Sequence, residues 1–440
     1  MPRLLIGNDF NEDRVSIVDA KRNKTAWWSQ RLLWFAQDDD VLVTAVPPDE
    51  AYLEYVTGLT GTRRSSLRVV VPPPGELGVG VLSADRLADE EFLGQLRAAI
   101  GDRPVERIVP LHPDASVAGL ARALHTEDAL PGCGFLSQGG GRLANSKPAF
   151  RALAAGVGAP LPAGGVCASR SEAQRVIGEL VDAGYPVILK HEFRTGGRGN
   201  EILSPVAGVA PVGAPRAVVV PDRAALRGYL ERRWDWLSSH GQSPVVAERY
   251  FPGSRAVFAE FALTDGGVAA AGQGEMMSAP LAAAQIVPIP GLHPDAAAEL
   301  DRGGRRISAA LHAMGYRGML SADAVVTPDG AVLFTEYNGR ITGSTPVYRI
   351  IGERVVGADY AETRVLLDRD GWPVPSFRAA VDRVAAAGLA YDPVERTGVV
   401  FTMPYNPGNG TIRYCVVAES PEAARERSRT VHGLFTAVAT

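Results

Sequence analysis

Three oxygen-bearing side chains in one short stretch, LSADAVVTPDGAVLFTEYNGR at residues 320–340, are spaced for chemistry. Asp323 precedes Glu336, and Asn338 follows two residues later. Between them Thr327-Pro328-Asp329-Gly330 is strong turn chemistry. The flanking runs are rich in β-formers, so the segment reads as a hairpin. If Val326 pairs with Ala331, Asp323 lies opposite Phe334. Side chains alternate along a strand, so Glu336 and Asn338 share the face of Phe334. Asp323 and Glu336 are then diagonal neighbours, about 7–8 Å apart at the backbone. Two carboxylates on one face repel each other unless a cation sits between them. With an amide oxygen beside them they form a hard-oxygen set that suits Mg2+, an ion that shares its shell with substrate phosphates. The competing reading is a solvated hairpin face, against which Phe334 on the same face argues for partial burial.

A second stretch, PVILKHEFRTGGRGN at residues 186–200, ends an apolar run in Lys190 and continues into a Gly-rich segment. Glycine accepts the dihedrals that let backbone N–H groups converge on phosphate oxygens. The loop Arg194, Thr195, Gly196, Gly197, Arg198 and Gly199 therefore reads as a phosphate cradle that closes over a nucleotide and excludes water. The alternative is an exposed glycine hairpin. Lys190 supplies a fixed positive charge. Lysine is scarce in this chain: only Lys21, Lys24, Lys147 and Lys190 occur, and the other 41 basic residues are arginines. In PVVAERYF, the acid Glu248 stands beside Arg249, Tyr250 and Phe251. Such a strand can hold a purine, its backbone reading the edge and its apolar side chains packing the plane. An ordinary edge strand is the plain alternative.

The elements that must position these groups follow from the surrounding patterns. A chain of 440 residues is too long for one compact core, so two to four domains are expected. Residues 1 to about 145 alternate strands and helices. RLLIG, VLVTAV, RVVV and RIVPL lack polar alternation, which suits a parallel sheet covered on both faces. NDFNEDR, at residues 8–14, reads as a polar turn. No G-x-G-x-x-G follows the first strand, so a dinucleotide site there is unsupported. GCGFLSQGGGRLANS is a loop-like boundary. A helix then starts at Lys147, capped by Asn145 or Ser146, with Pro148 in its first turn and an apolar stripe of Phe150, Leu153, Ala154 and Val157. SEAQRVIGELVDAG and ALRGYLERRWDWL are further helices. Trp372-Pro373-Val374-Pro375 reads as a linker before a small terminal module of two strands and a helix.

The order of these features resembles the ATP-grasp superfamily over roughly residues 145–350. That resemblance implies an α/β ATP-grasp fold, α+β in parts. It implies a pre-ATP-grasp domain at 1–145, a nucleotide-lid subdomain at 146–250, a metal and catalytic subdomain at 251–370 and a small C-terminal α/β domain at 385–440. Lys147 and Lys190 match the family's two nucleotide-contacting lysines, and Glu248 matches its hinge acid. Asp323, Glu336 and Asn338 match its Mg2+ ligands. Arg340 matches a basic residue that some members aim at the reacting acyl phosphate. Thr342-Gly343-Ser344-Thr345 looks like the small-residue loop that receives the carboxylate substrate, so Arg340, Lys190, Gly343 and Ser344 are the implied catalytic set. In layout the chain resembles the pheganomycin-type peptide ligases. It departs from the family elsewhere. Ser321 stands where D-alanine ligases carry arginine, and Arg255 stands where some members carry a ribose-binding acid.

The implied activity is ATP-dependent joining of a carboxylate to an amine in an ADP-forming reaction through an acyl phosphate. It yields a peptide or other amide, with ATP and Mg2+ as cofactors, in peptide natural-product (antibiotic) biosynthesis. The rivals are a carboxylase, kinase or small-metabolite ligase on the same nucleotide site, and a non-catalytic nucleotide-binding regulatory module. The expected partners are ATP, a carboxylate and an amino-acid or peptide amine; a homodimer is left open. A net charge of −4 argues against a nucleic-acid or anionic-membrane surface. No long uncharged apolar run occurs, the first ten residues are too polar for a signal peptide, and three scattered cysteines suit a reducing cytoplasm.

Overall fold

The structure, a computed structural model, describes residues 1–9, 11 and 26–435; most of the expected polar turn at 8–14 lies outside them. The first sheet is wholly parallel: β1 (Arg3–Ile6), β2 (Val41–Val43), β3 (Arg68–Val70) and β4 (Arg107–Pro110), in the order β3-β2-β1-β4. Leu4, Ile6, Val41 and Val43 enter one core, whereas Leu5 and Leu42 enter another. A strand that buries both faces needs no polar alternation, which is why these runs are uniformly apolar.

The second sheet comprises β5 (Gly164–Cys167), β6 (Val187–Lys190), β7 (Asn200–Ser204), β8 (Ala217–Val219) and β9 (Val245–Arg249), in the order β5-β9-β6-β7-β8. Val187, Leu189, Leu203, Val245 and Ala247 pack against the helices Arg170–Asp182 and Arg223–Leu237. The register pairs Ile188 with both Ile202 and Glu248. These residues and Lys190 therefore share the face that the two helices leave open.

The third sheet is antiparallel. Its strands are β10 (Arg255–Thr264), β11 (Gly267–Ser278), β12 (Ala282–Val287), β13 (Gly318–Val326), β14 (Val332–Asn338), β15 (Val365–Pro373), β16 (Gly398–Phe401) and β17 (Thr411–Ala418), in the order β14-β13-β10-β11-β12-β15-β17-β16. The helix Pro294–Ala313 covers one face of the β10, β13 and β14 end, burying Phe261, Ala322, Ala324 and Phe334. The terminal segment adds β16 and β17 to this same sheet instead of forming a sheet of its own. The expected linker at 372–375 is a correction of the same kind. Trp372 lies within β15, fully buried, with Tyr414 at 5.6 Å and Phe401 stacked at 6.5 Å. The two prolines signal a strand end here, and the tryptophan's apolar area holds that end in the core. GCGFLSQGGGRLANS, expected as a loop, holds two short helices, Cys133–Ser137 and Gly140–Leu143. No helix among the described residues is long and apolar enough to cross a membrane.

Candidate active site

The hairpin β13–β14 brings Asp323, Glu336 and Asn338 to one face, by a register that differs from the expected one. Val326 pairs with Val332, not Ala331, and Asp323 pairs directly with Glu336, with a bulge between Asp323 and Ala324. Ser321 pairs with Asn338. Phe334 consequently does not share their face; it lies opposite Ala324 and packs under the helix Pro294–Ala313. The bulge adds one residue, Thr335, to β14, and one residue reverses the facing of everything beyond it. It also releases backbone groups from the ladder. The Thr335 carbonyl accepts from Lys190 Nζ at 3.1 Å, and the Phe334 amide donates to the Pro160 carbonyl at 2.8 Å.

Two carboxylates facing each other across a strand pair cannot both ionise cheaply in a buried site. Burial, with the Glu336 charge beside it, pushes the Asp323 carboxyl up to about 8. Burial also opposes ionisation of Glu336, but the Lys147 and Lys190 ammonium groups outweigh it and hold that carboxyl down at about 2. Lys147 Nζ lies 3.0 Å from Glu336 Oε2. Asp323 accepts from Ser321 Oγ at 2.6 Å and from Asn338 Nδ2 at 2.9 Å. Turning that amide over presents Oδ1 on the same side. Two carboxylates and one amide oxygen fit a hard divalent cation that keeps further positions for other oxygen ligands. Among the described residues no group of three or more His, Cys, Asp or Glu could hold a metal ion.

The cations come from elements that face the hairpin. Ser146 caps the helix Lys147–Gly156, accepting from the Ala149 amide, which selects it over Asn145. Lys147 is the first residue of that helix, buried; its Nζ also donates to the Arg194 carbonyl at 2.7 Å, at the start of the Gly-rich loop. Lys190 ends β6, with Nζ 2.6 Å from Glu248 Oε2, a close ion pair without hydrogen-bond alignment. Glu248 is held on its other oxygen by Arg151 at 2.6 Å. Its carboxylate is thus occupied by two cations, and the backbone and aromatics of residues 249–251 are what remain for a ligand. Arg249 lies over Tyr185 at 3.7 Å and Phe251 at 4.5 Å. Together with Tyr250, Pro328 and Asp329 they line an open hollow of about 330 Å3.

The loop between β6 and β7 closes on itself. His191 N–H donates to the Gly199 carbonyl and Asn200 N–H to the Gly197 carbonyl, both at 3.0 Å. Gly196 and Gly197 have φ of 64° and 76°, the left-handed region that favours glycine. A Cβ on Gly199 would fall 2.4 Å from Arg194 Cβ, so this turn needs glycine for space as well. The Arg194 and Arg198 side chains are exposed at its tip. His191 points away from Lys190, its ring 4.4 Å from that of Trp236.

Beyond the hairpin, Arg340 is buried and donates to Asn145 Oδ1. The Thr342–Thr345 loop rests on a buried carboxylate that sequence reading did not single out. Glu260, on β10, accepts from the hydroxyls of Thr342, of Thr345 at 2.8 Å and of Tyr348 at 2.7 Å. Ser344 Oγ donates to Gln285 Oε1 at 2.5 Å, and Gln285 Nε2 donates to the Gly343 carbonyl at 3.3 Å. The sequence signal for Glu260 was an acid inside an otherwise apolar strand, RAVFAEFAL, which an extended segment buries only with partners. Asn145, Arg151 and Gln285 carry no comparable local signal, because their partners lie about 60 to 195 residues away.

Residues 29–126 match the family model described as the pre ATP-grasp domain, and residues 379–431 match that described as the PGM1 C-terminal domain. No curated protein matches the chain in sequence. Solved structures that share its fold include the following three. N5-carboxyaminoimidazole ribonucleotide synthetase from Thermus thermophilus has a TM-score of 0.58 at 14% identity, covering 100% of both chains. The biotin carboxylase domain of 2-oxoglutarate carboxylase from Hydrogenobacter thermophilus, solved with MgADP, ADP and bicarbonate, has 0.58 at 15%, covering 98% of this chain and 89% of that one. L-amino acid ligase from Bacillus licheniformis has 0.55 at 14%, covering 98% and 97%. The chain has the ATP-grasp fold, preceded by a pre-ATP-grasp domain.

Proposed function

We propose, on the premise of that fold, that the protein is an ATP-dependent, ADP-forming carboxylate–amine ligase that makes an amide through an acyl phosphate. The observation that carries the reading is the hairpin face, where Asp323 opposes Glu336 and Asn338 stands beside them, with the Lys147 and Lys190 ammonium groups close by. In this reading a substrate carboxylate attacks the γ-phosphorus of ATP and ADP leaves. Such transfer depends on positioning and on neutralising charge more than on covalent chemistry. Mg2+ on Asp323, Glu336 and Asn338 supplies neutralisation at the phosphates when bound. Lys190, fixed by Glu248 and the Thr335 carbonyl, holds a point charge at the phosphates. The loop Arg194–Gly199 covers them and excludes water, which would hydrolyse the acyl phosphate. The hinge Glu248–Phe251 and its hollow take the purine.

A neutral amine then attacks the acyl carbon, the acyl C–O bond to phosphate breaks, and the proton lost from nitrogen leaves with the phosphate. Arg340 and the backbone around Gly343 stand where negative charge develops on the carbonyl oxygen. The acid lies along Thr342–Thr345. The finer assignment is an amino-acid carboxylate joined to an amino-acid or peptide amine in peptide natural-product biosynthesis.

The test incubates the purified chain with ATP, Mg2+ and pools of amino acids and peptides, and quantifies ADP and new amide masses. Amine-dependent ADP release with an amide product is the expected result. Release that depends on bicarbonate and ignores amines would move the protein to the carboxylases. Absence of nucleotide uptake in calorimetry with Mg2+ present would remove the reading altogether.

A further inference from the structure

The Thr342–Thr345 loop has a second neighbourhood, away from the hairpin, where three distant parts of the chain meet. A narrow cleft there is lined by Trp28 and Arg31 from the first domain, Gly343 and Val347 from the catalytic segment, and Thr402 and Arg413 from the terminal strands. Among the described residues no carboxylate lines it. Two guanidinium groups do, with the Trp28 ring within 5.9 Å of Arg31 and 5.3 Å of Arg413.

Each guanidinium is anchored from behind. Arg413 sends both Nε and Nη2 to Asp368 Oδ2, at 2.8 and 2.5 Å. Asp368 is fully buried and accepts also from Thr402 Oγ1 and Gln285 Nε2, both at 2.8 Å. Through Gln285 this network reaches Ser344 Oγ and the Gly343 carbonyl. Arg31 donates Nη2 to Asp9 at 2.6 Å and to the Ile341 carbonyl at 3.0 Å. Its side chain is 3% exposed, and its Nε has no hydrogen-bond partner among the described residues. A buried N–H left without an acceptor costs free energy that a ligand oxygen would recover. Arg413, fixed along its Nε–Nη2 edge, is preorganised to offer its remaining donors to a planar, two-oxygen acceptor, while Arg31, whose Nη1 also donates to the Trp28 carbonyl at 3.3 Å, adds the single donor Nε.

We propose that this cleft binds the free carboxylate of the amine substrate. The inference rests on the ligase reading and deepens it. The acid's own carboxylate must meet the phosphate on the hairpin and Arg340 side, so a carboxylate seated beyond Gly343 belongs to the other substrate. In an α-amino acid the amine is one carbon from its carboxylate. Anchoring that carboxylate beside Gly343 therefore places the nucleophile at the loop where the acyl carbon lies. The preferred amines are accordingly α-amino acids with a free carboxylate, and not simple amines.

The test supplies each amine of a panel of α-amino acids, both as the free acid and as its carboxamide, to the full chain with ATP, Mg2+ and a pool of acids. ADP and amide products are quantified. The free acids should exceed the amides in kcat/KM by about tenfold or more. Arg413→Lys should raise KM for free-acid amines about tenfold and bring the free-acid to amide ratio of kcat/KM close to one, with nucleotide uptake in calorimetry checking that the ATP site is intact. If Arg413→Lys fails to fold in a thermal melt, the wild-type comparison of acid with amide decides. Products that form equally from acids and amides overturn the carboxylate site and leave the ligase reading standing. Absence of ADP release with every acid–amine pair overturns the ligase reading, and the inference with it.

Discussion

Two buried acidic clusters flank the five-stranded sheet, one on its helix-covered face and one on the β13–β14 hairpin that its open face meets, and they are built differently. On the helix-covered face, Glu201 accepts from Arg216 at 2.9 and 2.6 Å, from Arg233 at 2.6 Å and from the Tyr229 hydroxyl. Every lone pair of that carboxylate is used, and its charge is more than matched. On the hairpin that meets the open face, Asp323 and Glu336 confront each other with the lysines at one side. A saturated cluster holds architecture together. A directly opposed, buried pair raises the Asp323 carboxyl, and a proton or a cation between the two relieves the repulsion.

That difference breaks down if the clusters respond alike to mutation. The largest effect is expected on activity. Lys190→Ala and Glu336→Ala should each lower ATP turnover by about 1000-fold or more, about 4 kcal/mol, with the chain still folded by circular dichroism. Near-normal turnover in either variant would end the site assignment. Next comes stability. Glu201→Ala strands two arginines and a tyrosine, and should cost about 3 kcal/mol in denaturant unfolding. Glu336→Gln should change unfolding free energy by less than about 1 kcal/mol, since it removes the charge that opposes Asp323 and leaves an amide oxygen to accept from Lys147. Comparable losses in the two variants would show that both clusters are structural.

The smallest effect concerns pH and sharpens the boundary between the faces. His191 follows Lys190 but belongs to the Glu201 side. Burial, with Arg194 and Lys147 adding to it, lowers its ring from 6.5 to about 4. The unfolded chain therefore takes up the proton first. Stability present above pH 6.5 is lost as pH falls from 6.5 towards 4 and then levels off. His191→Phe should flatten this slope in melting temperature while the wild type keeps it. An unchanged slope would place the titration elsewhere.

How much of this was legible in the residues varies with the range of the interaction. The parallel first sheet showed in apolar runs without alternation, because each strand's own surroundings dictate that pattern. The shared face of Asp323, Glu336 and Asn338 was also legible, yet the register behind it was not. A turn fixes only the first pairs, and nothing local announces an extra residue at Thr335. Trp372-Pro373 read as a linker because proline is a local signal and the aromatic partners Phe401 and Tyr414 are not. The supports Arg151, Gln285, Asp368 and Asn145 stayed hidden for the same reason: each is defined by a partner from another element.

The bulge at Thr335 acts as a phase shifter. Upstream of it β14 keeps time with the hydrophobic interior, and downstream it keeps time with the charged face that meets the lysines, so one strand serves two rhythms. Deleting that single residue would leave composition almost untouched. It would swing Phe334 outward among the charges or turn Glu336 inward beneath the helix. The strand can therefore accept many changes of side chain at this point, but not a change of length.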